Sequence, residues 1–212
     1  MLKLSLIVIF IALASAEFGI INRIKTDTLA AFQCYAKHNF SLMITQAWDQ
    51  KTGPNYYFNR TVNLAREAGI PNHDAVIQLG DTYDPEEVCR ETVNVLPSDF
   101  NGTVWINIVY FFTSAVEDRM DYLSNVTKSC QQHGLKLGIY STWQTWQENF
   151  QDRYASSSII QALPLIYTNN NFKPNFDDFQ SVGFGKWAAP AMKDYYGAEW
   201  VLCDRPVGEL FF

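Results

Sequence analysis

From residue 18 onward the chain alternates two kinds of apolar pattern. Short runs such as "FGIINRI", "FSLMITQAW" and "DAVIQLG" are apolar on both faces, as strands covered on both sides are. The stretches between them place apolar residues every three to four positions, as amphipathic helices do. Strand "FGIINRI" is followed by a helix from about Thr26 to His38, and strand "FSLMITQAW" by a helix around Tyr57 to Ala68 that ends at Gly69. "DAVIQLG" leads into a helix opened by Asp84-Pro85-Glu86-Glu87, where Asp84 caps, Pro85 takes the first turn and Glu87 completes a capping box. A fourth strand spans about Thr103 to Tyr110. Ser114, with Glu117 three residues on, predicts a second capping box, ahead of a helix with Val116, Met120, Leu123, Val126 and Cys130 on one face and a stop at Gly134. "LKLGIYS" is the fifth strand.

Beyond it the rhythm changes. A short helix near Trp143 to Asp152 precedes "ALPLIYT", "SVGFGKWAA" and "AEWVLCD", with no helix of ordinary length between them. Five β/α units followed by three strands predict an α/β fold, an irregular TIM-type barrel whose functional groups lie beyond the C-terminal strand ends. An open doubly wound sheet competes with this reading. No G-x-G-x-x-G or G-x-x-x-x-G-K-[ST] loop follows a strand, however, so nucleotide binding has no support and no cofactor is expected.

The N-terminus "MLKLSLIVIFIALASAEF" carries a lysine, an apolar run from Leu4 to Ala14 and small residues at Ala14-Ser15-Ala16, the pattern of a cleaved secretory signal. The run is shorter than the roughly 20 apolar residues that span a bilayer. Residues 1–16 are therefore expected to be removed, leaving one domain over 17–212 that is secreted or held in a secretory compartment, with no membrane contact after cleavage. Apolar residues at 48% against 18% charged exclude a disordered chain, and the net charge of −6 argues against nucleic acid as a partner. A monomer is expected.

Secretion makes Cys34, Cys89, Cys130 and Cys203 disulfide partners; their wide spacing contains no C-x-x-C and no histidine pair has metal-ligand spacing, so no metal is expected. Helices outside consecutive barrel strands are neighbours, which predicts Cys89 with Cys130 and Cys34 with Cys203 on the closing strand. Sequons at Asn39, Asn59, Asn101 and Asn125 fit the same route. His38, His73 and His133 lie near helix ends or strand starts, where capping or solvent exposure explains them.

Several stretches then carry a family resemblance: "FQCYAKHNFS", "GTVWINI", "HGLKLGIYSTWQTW", "LPLIYTNNN", "PNFDDFQSVGFG" and "VLCDRP". Their order and wording resemble the nematode lysozyme-like branch of glycoside hydrolase family 25, over most of the mature chain. The resemblance implies a five-helix, eight-strand barrel that cleaves the sugar backbone of peptidoglycan, and a role in innate defence. It implies D-x-E at the end of the fourth strand and an Asp at the end of the first. Here those positions are Asn107-Ile108-Val109 and Asn22, two amides and a valine.

Glycoside hydrolysis needs an acid to protonate the leaving oxygen and usually a second carboxylate. Valine has no proton to give, and asparagine keeps the reach of aspartate without its charge. The family-like acid that remains is Asp204, which a turn or a bond to Arg205 explains equally well. Asp49, Asp81, Glu117 and Asp118 fall near the expected mouth and offer an active muramidase with relocated acids; loop solvation and helix capping are their plainer roles. The favoured expectation is a catalytically impaired, glycan-binding protein. Asn22, Asn107 and Asp204 would form its floor and Trp48 or Trp143 its wall, with Trp146 a further cleft candidate and Trp105 and Trp187 in the core. A secreted barrel with no sugar ligand is the third possibility.

Overall fold

The computed structural model describes residues 18–22, 27–80, 83–109, 115–154 and 157–212. Along them run β1 (Phe18–Asn22), β2 (Leu42–Asp49), β3 (Gly53–Pro54), β4 (Asn72–Leu79), β5 (Thr103–Ile108), β6 (Lys136–Thr142), β7 (Leu165–Thr168), β8 (Met192–Leu202) and β9 (Arg205–Phe211). The sheet order is β1-β9-β8-β7-β6-β5-β4-β2, and β1 also pairs with β2, so eight strands close into a barrel. Seven of them are parallel neighbours, while β9 runs antiparallel to both β8 and β1. The short β3 folds back on the end of β2.

Alternation along each strand divides the apolar residues into two layers. Ile21, Leu42, Ile44, Val76, Trp105, Tyr140, Ile166 and Leu210 fill the barrel interior. Trp105 fits there because its β6 partner is Gly138, where an added Cβ would lie 2.3 Å from the indole. The opposite faces of the strands carry Ala75, Ile77, Val104, Ile106, Leu137, Ile139 and Leu165 against the helices. These are α1 (Leu29–Lys37), α2 (Phe58–Glu67), α3 (Pro85–Val95), α4 (Val116–Gln132) and α5 (Trp143–Tyr154), with single-turn α6 (Ser158–Gln161) and α7 (Phe179–Val182). No described helix is long and apolar enough to cross a membrane.

Local chemistry starts and joins these helices. Thr28 caps α1 by accepting from the Ala31 amide, and Asp84 caps α3 by accepting from the Glu86 and Glu87 amides. Glu86 reaches across to Ser129 and His133 of the α4 end, alongside the Cys89–Cys130 disulfide. The second disulfide, Cys34–Cys203, ties α1 to the β8–β9 hairpin, as the barrel order predicted. Arg205 adds an ion pair to Asp27 just ahead of α1.

Two expectations change. "SVGFGKWAA" is not a strand: Gly185 and Lys186 both have φ near +60°, which breaks an extended run, and the segment forms α7 and turns instead. The closing pair is the long β8 and "RPVGELF", which follows a two-residue turn at Cys203-Asp204, both at positive φ as a type I′ hairpin requires. At α4 the described cap position is Ala115, with no side-chain cap bond; the expected Ser114 capping box lies outside the described residues, as do the signal segment, Asp81 and Tyr110.

Candidate functional site at the barrel mouth

The C-terminal ends of the parallel strands open on one face, and pleat parity decides which side chains reach it. In β5, Ile106 and Ile108 face the helices and Trp105 the interior, so Asn107 faces the axis, half-buried, and Val109 follows on the same side. Asn107 is level with Gln78 of β4 and Tyr140 of β6. Asn149 of α5 donates to the Val109 carbonyl at 2.9 Å and holds that strand end in place. Val109 thus brings an isopropyl group to the rim where the family pattern implies the acid.

Two further amides complete the surface, and both were missed as site residues in the sequence. Gln46 of β2 donates to Gln78 Oε1 at 3.0 Å and to Asp49 Oδ2 at 2.8 Å. A glutamine near the end of an otherwise apolar strand, in "TQAW" and in "IQLG", is the signal that parity turns into an inward group. Asp49 is a near-buried carboxylate fully engaged by its own turn: besides Gln46 it accepts from the Lys51 and Thr52 amides and the Thr52 hydroxyl. Deeper still, Asp194 of β8 is 0% exposed and accepts from the Tyr140 hydroxyl at 2.7 Å.

The other expected floor residues are not brought to Asn107. In β1, Ile21 joins the interior and Ile20 the helix side, so Asn22 continues on the side of Ile20, level with Thr45 and Val207. A step of one residue reverses a strand face; Ile21 is the β1 residue on the axis side. Asp204 is the exposed second residue of the hairpin turn, three positions before Val207, the β9 partner of Asn22. Asp118 is exposed on the first turn of α4.

Among the aromatics, Trp143 is 51% exposed and follows directly on the end of β6, at the mouth. Trp48 is not a wall of the mouth: it is 0% exposed, packs edge-on against Tyr83 and donates to Glu91 of α3. Its indole faces outward because a bulge at Ala47 shifts the β2–β4 register just before it. Trp146 is core as well, stacked among Phe150, Phe184 and Trp187; Trp105 is buried in the barrel and Trp187 is half-buried against the core.

After β7, Asp178 gathers the loop that borders the mouth. Its carboxylate accepts from Tyr167, Asn169, Asn171 and the fully buried Lys193. Burial works to raise the Asp178 carboxyl, but the bonds from Lys193, Tyr167 and Asn169 outweigh it and hold the group below the ordinary carboxylate range. At the opposite end of the barrel, His73 is buried and its pKa falls to about 4, through burial first and the Arg66 charge second. Next to it, burial raises the Asp74 carboxyl against hydrogen bonds from Trp105 and the Thr103 amide. A grouping of Cys34, His38 and Cys203 has metal-like spacing, but its two sulfurs are bonded to each other.

This arrangement can accept and donate hydrogen bonds to a neutral, hydroxyl-rich ligand; it presents no accessible carboxylate pair among the described residues. A family model described as Lys-1, lysozyme-like protein 1, matches residues 15–195. The chain is 27% identical over 198 residues to probable GH family 25 lysozyme 3 of Dictyostelium discoideum, covering 90% of this chain and 40% of that protein. It is 28% identical over 175 residues to Counting factor 50 of the same organism, covering 78% of this chain and 56% of that one. The chain thus spans about half the length of these relatives, and their source gives the nematode branch no support. The modular autolysin LytC of Streptococcus pneumoniae, solved in complex with a synthetic peptidoglycan ligand, superposes with a TM-score of 0.67 at 10% identity, over 93% of this chain and 47% of that one.

Proposed function

The chain belongs to the lysozyme-like protein 1 family, of the glycoside hydrolase family 25 lysozyme type, and from that premise we propose that it is a secreted glycan-binding protein which holds peptidoglycan-like chains at the barrel mouth without cleaving them. The observation that carries the reading is the amide-lined mouth: Gln46, Gln78 and Asn107 line it, Asp49 is engaged by its own turn, and Val109 stands where the acid is implied. Removing the acid abolishes proton transfer, while amides keep the donors and acceptors that recognise hydroxyls. The peptidoglycan ligand of the LytC complex, on the same fold, supports the ligand class. Secretion rests on the leader-like N-terminus, and glycosylation on four sequon asparagines that are all exposed. A role in innate defence, by capture of bacterial wall material, follows from this reading.

The test pairs two measurements on purified insoluble peptidoglycan: co-sedimentation of the protein, and release of reducing ends. Binding without turnover is the expected result. Turnover at a rate typical of lysozymes, lost on Asp49→Asn or Asp81→Asn, would replace this reading with that of a muramidase using relocated acids.

A further inference from the structure

Phe172 combines two properties that folding alone disfavours. Its side chain is 63% exposed and its backbone has φ +58°, the left-handed region that bulky residues avoid. It lies in the loop after β7, and β7 ends at Thr168, level with Thr142 at the end of β6 and Asp194 of β8. Phe172 is therefore on the mouth side, one strand over from the β6 end where α5 begins at exposed Trp143.

The surroundings hold it there. The Asn169 amide donates to the Asp194 carbonyl and the Phe172 amide to the Tyr195 carbonyl, so the loop runs along β8. Asp178 takes bonds from Asn169 and Asn171 on the near side of Phe172, while Lys193 Nζ donates to the Asn175 carbonyl on the far side. The ring stands edge-on to Tyr196, with centroids 4.9 Å apart, and leaves most of its surface in solvent beside exposed Asn170.

We infer that Phe172, with Tyr196, is a stacking platform for a pyranose ring at the β7–β8 rim of the mouth, a binding residue additional to the amide floor and Trp143. The inference rests on the glycan-binding reading above and adds where the chain leaves the floor. An aromatic face covers the C–H face of a sugar ring, the neighbouring amides take its hydroxyls, and a rigid ring loses little freedom on contact. The amide-lined floor favours a hydroxyl-rich occupant, since amides both donate to and accept from hydroxyls. A strained backbone retained at an exposed aromatic fits a contact made with a ligand, since the contact with Tyr196 leaves the ring largely open.

The test compares the parent with Phe172→Asn, Phe172→Tyr and Trp143→Ala, by calorimetry against chitotetraose and solubilised peptidoglycan glycan strands, together with thermal unfolding. Asparagine accepts the left-handed conformation, so Phe172→Asn should unfold at the parent's temperature or above while binding about tenfold more weakly; Phe172→Tyr should keep the parent's affinity. A Phe172→Asn protein that binds like the parent overturns the platform, whether or not its stability changes. Equal loss in the Asn and Tyr variants overturns it too, because stacking survives in tyrosine. If the parent binds neither probe, the glycan reading fails with it; parent binding that Trp143→Ala weakens and Phe172→Asn does not sinks the platform alone.

Discussion

Asn107, near the end of β5, and Val109, the first residue past that end, lie two positions apart on the axis side of the chain. Two residues of strand separate their Cα atoms by roughly 6.6 Å, and paired glycosidase carboxyls stand roughly 5 to 9.5 Å apart, so the double variant Asn107→Asp, Val109→Glu places two acids at a workable spacing. It should release reducing ends from peptidoglycan above the parent's level; a folded double variant that binds but stays at background would mean that acids at these two positions do not suffice for turnover. At the other end of the barrel, His73 makes stability depend on pH. Its folded pKa of about 4 lies below the unfolded value of 6.5, so between those values the unfolded chain binds the extra proton, and stability is present above pH 6.5 and lost as the pH falls toward 4. The loss amounts to roughly 3 kcal/mol at most. Asp74, with a raised carboxyl, acts in the opposite sense, so the difference between the parent and His73→Gln in denaturant titrations at pH 7 and pH 4.5 isolates the histidine. The variant should lose less stability on acidification than the parent.

Among the elements, the β8–β9 hairpin is held from outside the sheet, by Cys34–Cys203 and by Arg205 on Asp27. Cutting Cys34–Cys203, which spans 169 residues, removes a loop constraint of about 5 kcal/mol in the chain-entropy model; cutting Cys89–Cys130, which spans 41, removes about 4 kcal/mol. Serine replacement of either pair should lower the unfolding midpoint, with the larger fall for Cys34→Ser, Cys203→Ser. Limited proteolysis separates the two further: the first pair should open the hairpin turn at Cys203-Asp204, whereas the second should leave it protected, since α3 and α4 pack elsewhere on the barrel. Cleavage of both variants at the same sites would show that the disulfide does not anchor the hairpin.

At the level of the whole molecule, a protein of net charge −6 would bind glycan at a mouth whose acids, Asp49 and Asp194, are buried and hydrogen-bonded within the protein. Binding to glycan strands should change less than about twofold between low and high salt, because screening acts on exposed charges and the groups offered to the ligand are amides and aromatic faces. A steep salt dependence in the co-sedimentation assay would place binding on a charged surface instead.

Much of this was legible along the chain. Apolar runs covered on both faces, helical repeats between them and the late loss of helices are local patterns; they point to the barrel and, through barrel order, to both disulfides, although one of the three expected closing strands is not a strand. Asn107 and Val109 were readable too, because chemical identity needs no geometry. Other features depended on parity and register, which a one-residue step reverses: Asn22 turned to the helix side, Trp48 turned outward after a bulge, and Gln46 and Gln78 turned in beside Asn107. Backbone conformation was equally hidden. The left-handed residues at Gly185 and Lys186 end an expected strand, and those at Cys203 and Asp204 make a hairpin turn of an expected floor acid. Sequence by itself determined which groups the protein possesses and the barrel that carries them; the tertiary structure alone decided which of them face the axis together, because facing is fixed by pairing between strands distant in the chain.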